Sequence, residues 1–188
     1  MIIYLHGFNS TGDSAKGQFL KEKLPDIDVL TPTYHYDPRL AIPFLESLIQ
    51  EQRPQEQPVM LVGSSLGGYY AQYLAHQAKL KVVLINPALM PMSTLHDYLG
   101  ANTNFYTGEK YTLTQAHLDA LLALDIPDPC ANPVPTLLLL DEADEVLDYR
   151  IAASRYRKCA EMIIFADGDH QFQHMTASLS RIKAFYYD

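Results

Sequence analysis

The chain has 188 residues, 48% of them apolar, and a net charge of −8 from 14 basic and 22 acidic side chains. That length suits one sizeable core, so a single domain over residues 1–188 is expected. Nucleic acid is not an expected partner, because phosphate binding needs a cationic face and no basic run here exceeds a couple of residues.

No apolar stretch approaches the roughly 20 residues needed to span a bilayer, so no membrane insertion is expected. The sequence opens on Met1-Ile2-Ile3-Tyr4-Leu5 without a basic, cleavable leader, which points to the cytoplasm. Cys130 and Cys159 sit in no C-x-x-C or zinc-type spacing and read more simply as buried or free thiols than as a bridge or metal site. The scattered negative charge argues against long-range attraction of anionic substrates unless a local cationic patch overrides it.

In chain order, short apolar runs at 2–5, 27–30, 59–62, 82–85, 136–140 and 162–165 alternate with helix-patterned segments. Continuous apolar strands between helices predict an α/β fold with a six-stranded, mainly parallel sheet covered on both faces. The first strand runs into the turn His6-Gly7-Phe8-Asn9-Ser10. After Asp37-Pro38, a cap and first-turn pair, Ala41, Phe44, Leu45, Leu48 and Ile49 recur at helical spacing until Arg53-Pro54 stops them. The third strand leads into Gly63-Ser64-Ser65-Leu66-Gly67, and then Leu66, Tyr69, Tyr70, Tyr73 and Leu74 repeat at helical intervals. At that spacing the tyrosines read as core packing rather than a cofactor box.

Between Asn86-Pro87 and Asn132-Pro133 about 45 residues intervene, long for a βαβ connection. Met90, Met92, Leu95, Tyr98, Leu99, Phe105, Tyr106 and Tyr111 supply adaptable apolar surface, followed by a Leu118, Leu121, Leu122 helix face capped by Thr114. The insertion, at about 88–131, is expected to form a helical cap or acyl-pocket wall, with a plain pair of packing helices as the alternative. The closing segment carries Leu179, Ile182, Phe185 and Tyr186 on one helical face.

The G-x-S-x-G pentapeptide is common by itself, but here it occupies a strand-to-helix corner. A serine so placed is forced into a sparsely populated backbone region that lifts its side chain clear of the sheet, with Gly63 and Gly67 avoiding collisions across the turn. Ser65 is therefore the candidate nucleophile, with Ser64 one residue too early.

A serine needs an imidazole to accept its proton, and the imidazole needs a carboxylate to hold its tautomer. On a doubly wound sheet these should lie beyond later strands in the order Ser, Asp or Glu, His. Asp141, Asp144 and Asp148 all follow the fifth strand. Asp144 is favoured because Asp141 lies close to the strand and Asp148 is expected within the next helix. His170 follows the last strand in a Gly-containing turn. His174 is the rival base, and a His170/His174 metal pair is a weak pattern, so neither metal nor cofactor is expected. Backbone N–H groups of Phe8 and Leu66 are placed to cradle an oxyanion, a contribution of roughly 3 kcal/mol per donor in acyl-transfer sites. His6 reads as a brace for the turn, and Lys16 as a residue of the mouth with no fixed role.

The stretches 4–10, 63–69, 86–88, 144–150 and 168–172 resemble, in order and across nearly the whole chain, the small bacterial esterases of the YqiA-like family. The resemblance implies a compact α/β-hydrolase fold, a triad of Ser65, Asp144 and His170, and activity toward acyl-CoA and simple carboxylic esters. One departure is Asp141-Glu142-Ala143 ahead of Asp144, where a more glycine-containing turn would be usual.

The expected function is hydrolysis of a small-molecule acyl ester or thioester through an acyl-enzyme, without cofactor. Two alternatives stay open: a serine hydrolase of other bond specificity, and a non-catalytic ligand-binding protein on the same fold.

Overall fold

The computed structural model describes residues 1–52 and 58–188; the expected stop at Arg53-Pro54 lies outside them. The elements run β1 (Ile2–Leu5), α1 (Ala15–Lys23), β2 (Val29–Leu30), α2 (Pro38–Gln52), β3 (Met60–Ser65), α3 (Leu66–Ala78) and β4 (Lys81–Pro87). Then come α4 (Pro91–His96), β5 (Gly100–Thr103), β6 (Lys110–Leu113), α5 (Gln115–Leu122), β7 (Thr136–Asp141), α6 (Tyr149–Tyr156), β8 (Glu161–Phe165) and α7 (Met175–Tyr187).

Six strands form one sheet in the order β2-β1-β3-β4-β7-β8, and every neighbouring pair is parallel. Because side chains alternate across a strand, the continuous apolar runs feed two cores. Ile3, Leu5, Leu61, Leu84 and Leu138 pack under α2, α3 and α6 on one face. Ile2, Tyr4, Val62, Val83 and Leu137 pack with residues of α1 and α7 on the other. This is the α/β-hydrolase arrangement, with β3, the elbow strand, central in the sheet.

The second strand is shorter than its apolar run suggests: Ile27 is buried but precedes the two-residue β2 at the sheet edge. In α2 the buried side includes Ala41, Ile42, Leu45 and Ile49, while Phe44 is exposed.

The segment between β4 and β7 holds the helix expected behind Thr114, α5, and a shorter one before it, α4. It also holds an antiparallel hairpin, β5 with β6, pairing Gly100 with Leu113 and Thr103 with Lys110. Tyr111 and Leu113 are buried on alternate positions of β6, a period of two that the scattered aromatics mask. Thr114 caps α5 as expected, its N–H donating to His117 Nδ1 at 3.1 Å, and Leu118 and Leu121 are buried whereas Leu122 is exposed.

The cysteines correct their expectation. Cys130 and Cys159 form a disulfide with Cα atoms 5.3 Å apart. Sequence spacing hides this because the pair closes only when the end of the β4–β7 segment runs beside α6. The Arg155–Asp125 ion pair, at 3.0 Å, marks the same seam. Among the described residues no helix is long and apolar enough to cross a membrane.

Candidate active site

Ser65 ends β3 and caps α3 with φ 55° and ψ −123°, a backbone region that stores about 1–3 kcal/mol of strain in a non-glycine residue. The corner is held from both sides. A Cβ on Gly63 would lie 2.3 Å from the Gly67 carbonyl oxygen, and one on Gly67 would lie 2.1 Å from that of Leu5. The expected collisions are thus with backbone, which cannot swing aside. Beyond the corner, Ala88 N–H donates to the Ser65 carbonyl at 3.0 Å.

The three residues expected to act together form one hydrogen-bonded line. Ser65 Oγ lies 3.1 Å from His170 Nε2, and His170 Nδ1 lies 2.9 Å from Asp144 Oδ2. The Asp144 side chain is only 2% exposed, and its Oδ1 accepts from the N–H groups of Val146 at 2.9 Å and Leu147 at 2.8 Å. A carboxylate so supplied with donors is fixed in direction and holds the imidazole with it. His170 N–H donates to Glu145 Oε2 at 3.0 Å, a second tie between the two loops.

The competing residues lie elsewhere. Ser64 is buried in β3. Asp148 is the N-cap of α6 rather than inside it, accepting from Arg150 N–H at 3.0 Å. His174 immediately precedes α7, and its Nδ1 is 2.7 Å from Asp141 Oδ1. No group of three His, Cys, Asp or Glu side chains among the described residues is arranged to hold a metal ion.

Phe8 and Leu66 both border a cavity of about 260 Å³ that reaches Ser65 and His170. Leu66 is the first residue of α3, where N–H groups have no intrahelical acceptor. The turn that presents Phe8 is anchored by residues that the motif reading passed over. Asn9, at φ 53°, accepts from Tyr111 Oη at 2.6 Å through its Oδ1. The Asn9 carbonyl accepts from Phe105 N–H at 3.2 Å, and the Ser10 carbonyl accepts from Asn104 Nδ2 at 2.9 Å. The hairpin is thereby clipped to the turn beside the elbow. Asparagine at positive φ is a readable signal for such a turn.

His6 braces the same turn as expected: its ring stacks on Tyr34 at 4.0 Å and its Nδ1 is 2.9 Å from the Gly7 carbonyl. Burial lowers its pKa from 6.5 to about 4, with the Gly7 hydrogen bond opposing. The unfolded chain therefore takes up this proton first as pH falls. The stability carried by neutral His6 is complete above pH 6.5 and is lost as pH drops toward 4, by about 3 kcal/mol. Urea unfolding of the parent and a His6→Gln variant across that window should show a pH slope in the parent that the variant lacks. Parallel slopes would remove His6 as the cause.

The sequence matches the model of the Uncharacterised protein family (UPF0227) over residues 1–187. A UPF0227 protein of Serratia proteamaculans is 27% identical over 194 residues, covering 98% of each chain. Among solved structures the chain is similar to Est1E from Butyrivibrio proteoclasticus, with a TM-score of 0.78 at 16% identity over 98% of this chain and 85% of that one. It is also similar to the alpha/beta hydrolase domain-containing protein 10 from mouse, with a TM-score of 0.75 at 15% identity over 97% and 89%. The structural likenesses place the fold among the α/β-hydrolases, and with the match along nearly its whole length the chain belongs to the UPF0227 family.

Proposed function

We propose that the protein is a serine hydrolase that cleaves small carboxylic esters or thioesters through an acyl-enzyme. The observation that carries the reading is the line from Ser65 Oγ through His170 to Asp144, with bonds of 3.1 and 2.9 Å, at the edge of an open cavity. Supporting it from outside, a structure of Est1E holds ferulic acid, and a monoacylglycerol lipase from Paleococcus ferrophilus shares the fold with a TM-score of 0.72.

In this reading Ser65 Oγ bonds to the substrate carbonyl carbon as its proton passes to His170 Nε2, and the carbonyl π electrons move onto oxygen. The N–H groups of Phe8 and Leu66 take up that oxyanion. Its collapse expels the alkoxide or thiolate, which receives the proton from Nε2, leaving the acyl-enzyme. Water then repeats the sequence and releases the acid and free Ser65. Asp144 holds Nδ1 protonated and stabilises the imidazolium formed in each half-reaction. The β4–β7 segment acts as the wall for the substrate, since Leu95, Tyr98 and Phe105 border the cavity.

A fluorophosphonate probe tests the chemistry without knowledge of the substrate. The expected result is one adduct per chain on the peptide containing Ser65, its labelling rate falling at least about 100-fold in His170→Ala. An unlabelled Ser65 in protein that binds esters saturably would replace this reading with a binding function.

A further inference from the structure

Lys16 is a cation in the cavity that the proposed chemistry does not use. It lies in the first turn of α1, is partly buried and borders the same space as Ser65 and His170. Among the described residues the lysine and arginine ion pairs do not include it. Burial lowers its pKa below the usual lysine range, against the raising influence of Asp169, Asp141 and Asp144. An ammonium drawn from bulk water without a direct carboxylate partner has interaction capacity left for a ligand.

The cavity lining is drawn from separate parts of the chain. Leu95, Tyr98 and Phe105 come from the β4–β7 segment, while Ser14 and Lys16 come from the start of α1 and Gln171 from the loop after β8. Leu95 belongs to the core on one face of the sheet and α1 to the core on the other, and Lys16 brings the one lysine or arginine of the lining, while Leu95 and Phe105 bring apolar surface from the β4–β7 segment. Three carboxylates act on Lys16, and a dianion placed there would meet their repulsion with one cation to offset it. A monoanion is the better match.

We propose that Lys16 binds a carboxylate of the substrate, making the preferred substrate a small monoanionic ester whose charge lies on the α1 side of the scissile carbonyl and whose apolar group lies against the β4–β7 segment. The scissile bond rests on the serine-hydrolase reading; the carboxylate contact is separately measurable. It also supplies the local cation that a chain of net charge −8 needs to accept an anion.

Two pairs of probes test this. Mono-4-nitrophenyl glutarate and 4-nitrophenyl valerate have acyl chains of equal length, one ending in carboxylate and one in methyl. Glutaric monoanilide and valeranilide are their slowly reacting amide counterparts, suited to calorimetric binding. A charge-assisted contact predicts that the parent favours the carboxylate member of each pair by about 10- to 100-fold, and that Lys16→Met and Lys16→Gln bring both ratios near one. Equal binding of the two anilides by the parent, or a preference that survives in folded Lys16→Met and Lys16→Gln, would overturn the proposal. Tighter binding of a phosphonate analogue than of the carboxylate would overturn the choice of a monoanion. Selective anilide binding with no turnover of either ester would leave the carboxylate contact standing and remove the hydrolase reading instead.

Discussion

Replacing Ser65 by alanine is expected to lower kcat for a nitrophenyl ester by roughly 10⁶-fold, and replacing His170 by alanine in the same chain should lower it hardly further. The reason is that the two side chains perform one proton transfer. Without the imidazole the hydroxyl keeps its proton; without the hydroxyl the imidazole has nothing to deprotonate. Asp144→Asn is expected to cost less, roughly 10⁴-fold, because His170 remains 3.1 Å from Ser65 but its preferred tautomer is no longer enforced. Alanine at position 65 keeps the Cβ and the strained φ of 55°, so circular dichroism and thermal midpoint should stay close to those of the parent. The measurement is steady-state kinetics on protein purified free of host esterases. A double variant whose loss is the product of the two single losses would show that the residues act independently, and substantial activity in Ser65→Ala would end the assignment of the nucleophile.

What the sequence made legible follows from which interactions are local. The central strands could be read because each is buried on both faces: Ile2, Ile3, Met60, Leu61 and Val82 through Ile85 are all fully buried, and a fully buried strand has little room for a polar residue. The elbow could be read because the crowding at Gly63 comes from the Gly67 backbone within the same turn, although the crowding at Gly67 comes from Leu5 and His6 at the end of the neighbouring strand. Asp144 and His170 could be located because the doubly wound topology puts strand ends, and hence the loops after β7 and β8, along one sheet edge.

What escaped depends on the path of the chain between distant segments. The Cys130–Cys159 bridge spans 29 residues, and its spacing resembles no motif. The hairpin registers with itself at Ala101 and Thr112, yet its attachment to Asn9 and Ser10 crosses more than 90 residues. In the sequence Asn86 marks the start of the long segment before β7 and heads the stretch 86–88, with nothing to show its contacts. In the structure it has φ 39°, its Oδ1 accepts from Asp141 N–H at 2.9 Å, and its Nδ2 donates to the Asp169 carbonyl at 3.0 Å. A side chain that fastens two loops to each other by backbone groups leaves no pattern in either loop.

Asp141 is the centre of that fastening, and its replacement is the second change with a large expected effect. The residue is fully buried at the end of β7. Its Oδ2 accepts from Gln173 N–H at 2.9 Å and Asp169 N–H at 3.3 Å, and its Oδ1 lies 2.7 Å from His174 Nδ1. The His174 ring is in turn stacked on Phe165 at 4.1 Å. The two backbone donors flank His170, so one carboxylate sets the loop that carries the proposed base. The loop also passes so close that a Cβ on Gly168, at φ 91°, would fall 2.0 Å from Asp141 Oδ2.

Asp141→Ala leaves three donors without their acceptor and is expected to lower the unfolding free energy by about 3–5 kcal/mol, a large part of the roughly 5–15 kcal/mol typical of a folded domain. Asp141→Asn keeps one carbonyl oxygen, folds more readily, and separates stability from positioning. A displacement of the imidazole by about 1 Å costs roughly 100-fold in rate, so this variant, measured where it is fully folded, should lose 10- to 100-fold in kcat with KM little changed. If Asp141→Asn lost stability alone and kept the parent's kcat, Asp141 would be holding the fold together without aiming His170.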